Sequence, residues 1–516
     1  MVQVVPSGSI NTTALIVPDL YVQIVSPQIL ALNGVPTNCV GIVGTAPWGP
    51  VNTPVVAGTM GDFATNFGTV MNRTHDLGTA MAICVGQNAN NFRLVRVTDG
   101  TDTAASAVVL TNCITYTAKY TGSLGLGLVV THSAGSAANS WRVVVSMPGL
   151  APEVFDNLAV GLTGNAVWLA IASAINNGTT ALRPASKLVT AAAGAGTTAV
   201  AAASYPFTGG TDGVSGVTDT TLVGVDGTTG RTGMYALRGQ GTGLFFLADV
   251  TTVSTFTTQN AFALSESTYG IVVTAAGDSV STAPGVKSAA GIDTYALKYM
   301  FGDWIYWYDQ VNALTRLVSP QGFVAGRLAQ LSPQQSSLNK PLYNIIGSQT
   351  SGVAGTSQAG TYSVAALSAL GSAGIDVICN PVPGGNYWAV RFGHNASSSA
   401  SLSGDNYTRM TNYITTTVAS GMGGYVGMVV NSKLFQSIRA TMKQFLGNLM
   451  NQGILGSLTP GQLPFSVVCD TSNNPFSRTS LGYVQCDVAV QYQAINEKFI
   501  VNIQGGQTVQ VAKQTS

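Results

Sequence analysis

Charge is what this sequence lacks most. Asp, Glu, Lys and Arg make up 8% of its 516 residues, against about 25% in an ordinary soluble protein. Glutamate occurs only at Glu153, Glu266 and Glu497, and the formal net charge is +1. Scarce cations argue against nucleic acid as the main partner, because neutralising phosphates takes clustered Lys and Arg. Histidine is confined to His75, His132 and His394. None has a second ligand at helical or hairpin spacing, so no metal centre is expected. The six cysteines, at positions 39, 84, 113, 379, 469 and 486, include no C-x-x-C pair. That spacing favours buried free thiols over a zinc or redox motif, and the missing export signal argues against disulfides. No Lys or Arg precedes Arg73, so the amino-terminal stretch lacks the basic segment of a secretory signal. Gly, Pro or Asn cuts each apolar run before the ~18 residues a membrane helix requires. The expectation is a soluble chain made in a cytosol, with no membrane insertion and no cofactor.

The constellations of catalysis are missing too. Asp76 opens the helix-like DLGTAMAICVGQ, where a carboxylate is a natural cap. His394 lies in the loop VRFGHNASS, and no G-x-S-x-G elbow supports a hydrolase there. GIVGTAPWG lacks the Lys-Ser/Thr of a phosphate loop, and GSLGLG has no acidic residue following a strand–helix unit. The aspartates form neither a calcium loop nor a recognisable pair for glycoside chemistry. The aromatic run FGDWIYWYD (301–309) reads as a core strand rather than a stacking platform. No enzyme is expected.

What the sequence has is glycine, 60 residues of it, with many Thr, Val and Ser, a mixture that favours strands and turns. A surface this poor in charge repels its own copies weakly, which suits a protein that packs against itself. The length gives a prior of about three domains, and the pattern is that of a mixed α+β multidomain protein. Residues 1–20 carry short apolar patches without a core and read as an arm. Residues 21–97 read as compact α/β, 98–212 as β-rich, and 213–345 as an α/β unit. A Gly/Ser/Thr linker (348–361) opens the segment 346–495. Within it, NSKLFQSIRATMKQFLGNLMNQG is the clearest helix. Leu434, Phe435, Ile438, Met442, Phe445, Leu446 and Leu449 follow i, i+3/i+4 spacing, Asn431 or Ser432 can cap its start, and Gly453 can stop it. Lys433, Arg439 and Lys443 lie mostly off that apolar stripe, either as a solvated face or as a basic face for an acidic protein surface. Two strands are expected to close the core, YVQCDVAVQYQ (483–493) and KFIVNIQ (498–504). Residues 496–516 end in a strand-like tail, QTVQVAKQTS.

Three stretches together resemble the sheath proteins of contractile tails. NGVPTNCVGIVGTAPWGPVNTPVVAGTMGDFATNFG (33–68) is similar to the family's opening strand, proline bend and short helix. LVSPQGFVAGRLAQLSP with NKPL (339–342) is similar to its middle segment, with Gln330 and Leu331 where a charged pair is common. The run from YTRMTNYI (407–414) through SNNPFSRTSLGYVQCDVAVQYQAINEKFIVNI resembles its terminal domain. In the proline bend, Pro47, Pro50 and Pro54 fix φ and withhold three N–H donors, so the chain leaves the sheet in a stiff turn. Gly44 and Gly49 permit the geometry and Trp48 can pin it, so the bend reads as scaffolding.

The resemblance implies an inner core domain built from both chain ends (21–97 with 346–495), carrying the inserted 98–212 and 213–345 domains and extended terminal arms. It implies a homopolymer of helically stacked hexameric rings around a tail tube, contracting by rigid-body rearrangement to drive the tube through a target envelope. Baseplate and tail terminator proteins would be further partners. Assembly would occur in a host bacterial cytoplasm, and the mature location would be the virion tail. Val2, Val4 and Val5 in one arm, and Thr508, Val509 and Val511 in the other, would add strands to neighbouring subunits. Lys433, Arg439 and Lys443 would face the tube. The rival class is a secreted or surface β-rich adhesin or surface-layer protein, which should carry an export signal and calcium loops.

Overall fold

The computed structural model describes residues 3–5, 21–23, 32–353, 360–459, 461–503 and 505. The fold is mixed α and β, with several small sheets. It divides into two compact units, Met1–Val35 with Ile414–Gln493, and Pro36–Tyr413 with Ala494–Ser516.

The larger unit is organised by a six-stranded sheet in the order Leu297–Met300, Tyr269–Val273, Leu244–Leu247, Val40–Gly44, Phe92–Arg96, Val55–Ala57. The first five run parallel and the last is an antiparallel edge. Parallel neighbours need crossovers, and helices Leu77–Gly86, Phe256–Glu266 and Ala283–Ala289 lie in those connections. Helices on both faces leave the central strands buried throughout, which is why VGIVG and LFFL carry no polar alternation. Gln321–Gln330 packs on Leu77–Gly86 at the close approach its GFVAG sequence permits. A Cβ on Gly326 would stand 2.7 Å from the Cys84 carbonyl oxygen, so only glycine fits there.

This sheet brings together strands from two of the segments distinguished in the sequence. Residues 40–96 are hydrogen-bonded into one sheet with 244–300, and Leu370, Ile375, Val377, Ile378, Val390 and Ala396 of the 346–495 segment pack into the same core. Strands buried on both faces show that they are apolar, not which strand lies beside them. The helix Ser432–Asn451 instead falls in the smaller unit, together with the chain's first residues.

Residues 106–206 hold a four-stranded sheet (Glu153–Leu158, Trp141–Ser146, Val129–Ala134, Ala203–Pro206), a three-stranded one (Val189–Ala193, Ile114–Ala118, Ser106–Val109) and the helix Asn165–Asn177. Their core has its own buried Tyr116, Phe155 and Trp168. Trp48 belongs to this second core, edge-on to Tyr120 at 5.5 Å. The proline bend therefore joins two cores. Gly49 sits at φ 101°, and the buried Arg96 guanidinium donates to the carbonyls of Gly49 (2.7 Å) and Thr121 (2.8 Å). Burial lowers that guanidinium to about 10, and these carbonyls take the place of water around it. The FGDWIYWYD run forms the strand Ile305–Asp309, with alternate residues buried as its pattern predicts.

The buried lysine of the sheet is compensated in full. Lys298 Nζ lies 2.7 Å from Asp376 Oδ2 and 3.0 Å from Asp405 Oδ1, and donates to the His394 carbonyl at 2.9 Å. Tyr269 donates its hydroxyl to Asp405 at 2.6 Å. Burial pushes the Asp405 carboxyl up, but the Lys298 charge and the hydroxyls of Ser337 and Tyr269 outweigh it and hold it at about 2. The cluster ties the edge strand to the start of the helix Asp405–Gly421.

Candidate assembly surfaces

The smaller unit is built on the helix Ser432–Asn451. Asn431 caps it, its side chain accepting from the Leu434 N–H at 2.9 Å, and Gly453 follows its end at φ 71°. All seven apolar residues expected to face the core are buried, each contributing about 1.5–3 kcal/mol relative to exposure. Lys433 and Lys443 are exposed, and Arg439 is half-buried. At ~100° per residue Lys433 and Lys443 fall on the side away from the apolar stripe, and Arg439 lies at its border beside Leu446. Arg439 lies 3.4 Å from Asp470, whose carboxyl is held below the usual range by the Ser472 hydroxyl and backbone N–H, with Arg439 adding to this. Among the described residues Lys433 and Lys443 have no ion-pair partner, so the free positive charge of this face is theirs rather than shared by three.

Against this helix lies a sheet of only two strands, Phe465–Val468 antiparallel to Asp487–Val490. Three of the four residues of the second strand are exposed. Each strand has one open edge among the described residues. Large apolar side chains nearby in sequence are also in solvent, including Phe476 at 85% and Leu458 at 99% exposure. A second open ribbon pairs Gln3–Val5 in parallel with Tyr21–Gln23, which sets Val4 opposite Val22 and Val5 opposite Gln23. Two-stranded sheets are marginal in water when nothing extends them. Val2, Thr508, Val509 and Val511 lie outside the described residues.

KFIVNIQ departs from expectation. Residues 498–503 pair with no strand among the described residues, and Phe499, Ile500 and Ile503 are exposed. The preceding residues are fastened to the larger unit. Glu497 Oε1 meets His394 Nε2 at 2.8 Å, and residues 495–499 wall a groove of about 620 Å³ with Leu338, Lys340 and Arg391. The sequence shows an apolar strand here; it contains no signal that the strand has no partner within its own fold.

The other histidines are structural. His132 is buried, hydrogen-bonded through Nε2 to the Tyr116 hydroxyl at 2.9 Å, and lowered to about 4 by burial. His75 Nδ1 lies 2.7 Å from the Ala248 carbonyl, while Asp76 caps the next helix through the Thr79 N–H. Among the described residues no group of His, Cys, Asp or Glu is placed to hold a metal ion. No described helix is long and apolar enough to cross a membrane.

No protein-family sequence model matches the chain, and no curated protein matches it by sequence. Solved structures do match. A sheath tail protein from Desulfitobacterium hafniense superposes with TM-score 0.57 at 15% identity, over 87% of this chain and 93% of its own. One from Listeria innocua gives TM-score 0.61 at 12% identity, over 85% and 90%. The fold is that of the contractile tail sheath proteins. The sheath of an extracellular contractile injection system in its contracted state shares it too, with TM-score 0.54 at 10% identity, over 95% and 98%. At these identities the chains share architecture with little sequence. Among the described residues, both strand-bearing segments toward the chain ends lie in sheets of only two strands.

Proposed function

We propose that this chain is the structural subunit of a contractile tail sheath. Subunits associate into stacked hexameric rings around a tail tube, and each contributes terminal strands to sheets that are short of strands in its neighbours. The observation that carries this reading is the sheath fold over most of the chain's length, together with the unpaired apolar segment 499–503 and the open two-stranded sheet Phe465–Val468/Asp487–Val490. An extended segment that adds to an exposed edge gains backbone hydrogen bonds, each contributing about 0.5–1.5 kcal/mol. Several per arm, repeated in every subunit, make a continuous mesh.

Contraction in this scheme is a rigid-body rearrangement of folded subunits that stay tethered by their arms. It needs no chemical step within the subunit. The tube is gripped by the face carrying Lys433 and Lys443, with Arg439 contributing less because Asp470 already engages it. The baseplate and tail terminator cap the two ends of the polymer, the particle is a phage or phage-like tail, and assembly takes place in the cytoplasm of the producing cell.

Negative-stain electron microscopy of the purified protein tests the reading. Hollow tubes or ring stacks are expected from the full chain. A chain lacking residues 1–20 should be folded and soluble but form none. Monomers alone from the full chain would favour the surface-protein class, and tubes from the truncated chain would overturn the arm mesh.

A further inference from the structure

Cys469 and Cys486 stand 17 positions apart in sequence and face each other across the two-stranded sheet of the smaller unit. The ladder pairs Val467 with Val488 and Val468 with Asp487, so the next opposed positions are 469 and 486. The Gln491 N–H donates to the Pro464 carbonyl at 2.7 Å, which makes 464/491 a hydrogen-bonded pair. Alternation along an antiparallel ladder then makes 469/486 a non-hydrogen-bonded pair, the kind in which facing side chains stand closest. The Cα separation of such a pair, about 4.5 Å, lies at the short end of the range a disulfide requires. The side chains share one face. Cys469 is buried with Leu434, Phe435 and Ile438 against the helix, and Cys486 packs on the same cluster. The two thiols stand close enough to shift each other's titration.

The surrounding loop fixes this approach. Asn474, itself buried, accepts from the Gln485 N–H at 2.6 Å and donates to the Gln485 carbonyl at 2.8 Å. Asn473 donates to the carbonyls of Val468 and Gln485. Both strands are thus held in register immediately beside the two sulfurs. Cys39, Cys84, Cys113 and Cys379 are all buried, and Cys486 alone of the six is half-exposed.

We propose that Cys469 and Cys486 form a redox-controlled cross-strand disulfide that staples the two-stranded sheet once the protein meets an oxidising environment. The oxidant is a small disulfide such as oxidised glutathione. The accessible Cys486 thiolate attacks it, forming a mixed disulfide and releasing one glutathione thiolate, which takes up a proton. Cys469 then gives up its proton and attacks the Cys486 sulfur, expelling the second glutathione. Two protein thiols are oxidised by two electrons, and one glutathione disulfide is reduced to two thiols. In a reducing cytosol the pair stays as thiols; outside it the staple closes. Closing it constrains the 469–486 loop in the unfolded chain and so stabilises the unit that carries the open edges. The cross-link does not depend on what the chain assembles into.

Burial raises both thiols, and contact with Cys469 adds to the rise at Cys486, to about 11. Oxidation is therefore slow at neutral pH and accelerates about tenfold per pH unit toward alkaline conditions.

The test is peptide mapping by mass spectrometry of the folded full chain after incubation with oxidised glutathione at alkaline pH. A peptide pair linked Cys469 to Cys486 is expected, about 2 Da lighter than the two thiols together, with the other four cysteines alkylated only after unfolding. The heat-unfolding midpoint should rise on oxidation and return on reduction. Cys469→Ser should stop the reaction at a glutathione adduct on Cys486. A persistent adduct on Cys486 in the natural sequence, or two free thiols after the same treatment, would overturn the proposal.

Discussion

The sheet of the larger unit buries Lys298 between Asp376 and Asp405 and leaves no strand of its interior unpaired. The smaller unit leaves Phe476 and Leu458 in solvent and, among the described residues, holds its strands only in two-stranded sheets, where a stable sheet needs more. The first is satisfied in its sheet but also carries residues 499–503, whose Phe499, Ile500 and Ile503 are exposed and pair with no strand among the described residues. The second carries unsatisfied edges and exposed apolar surface, the two features through which folded proteins join. Substitutions in the buried cluster and at the open edges should therefore have separable effects on folding and on association.

The largest expected effect on folding is at Lys298. Lys298→Met strands two buried carboxylates and should cost about 3–5 kcal/mol, read as a lowered denaturant midpoint. Acid reaches the same cluster by protonation. Asp405 titrates at about 2 in the fold and near ~3.9 when unfolded. Its contribution is complete above the unfolded value and lost as pH falls through 2. A stability-against-pH curve should decline over that window, and Asp405→Asn should flatten it. Asn431→Ala removes the cap of the Ser432–Asn451 helix and should cost about 1 kcal/mol, seen in the melting of the smaller unit. The smallest effect on folding belongs to Lys433→Glu with Lys443→Glu, within about 0.5 kcal/mol because both are exposed. Co-sedimentation with tube protein should nevertheless fall sharply, while sheath self-assembly is unaffected. Unchanged co-sedimentation would remove the tube-gripping role from this face.

The smaller unit's helix was legible from spacing and cap alone, since Asn431 and seven apolar residues at i, i+3/i+4 specify one buried face. The Ile305–Asp309 strand was legible for the same reason, at period two. Lys298 was not. A lysine inside LKYM marks a break in an apolar run, and its partners stand 78 and 107 positions away. The Cys469/Cys486 approach depends on strand register, which local composition does not encode. The grouping of 40–96 with 244–300 depends on strand order, equally non-local. KFIVNIQ failed differently, because strand propensity is visible in sequence whereas the absence of an internal partner is not.

Amide hydrogen exchange on residues 499–503, compared between isolated subunits and assembled tubes, tests most directly whether unpaired termini drive assembly. Fast exchange in the subunit and strong protection in the tube are the expected result. Equal, fast exchange in both states would contradict it, because these amides would then be pairing with nothing in the polymer either.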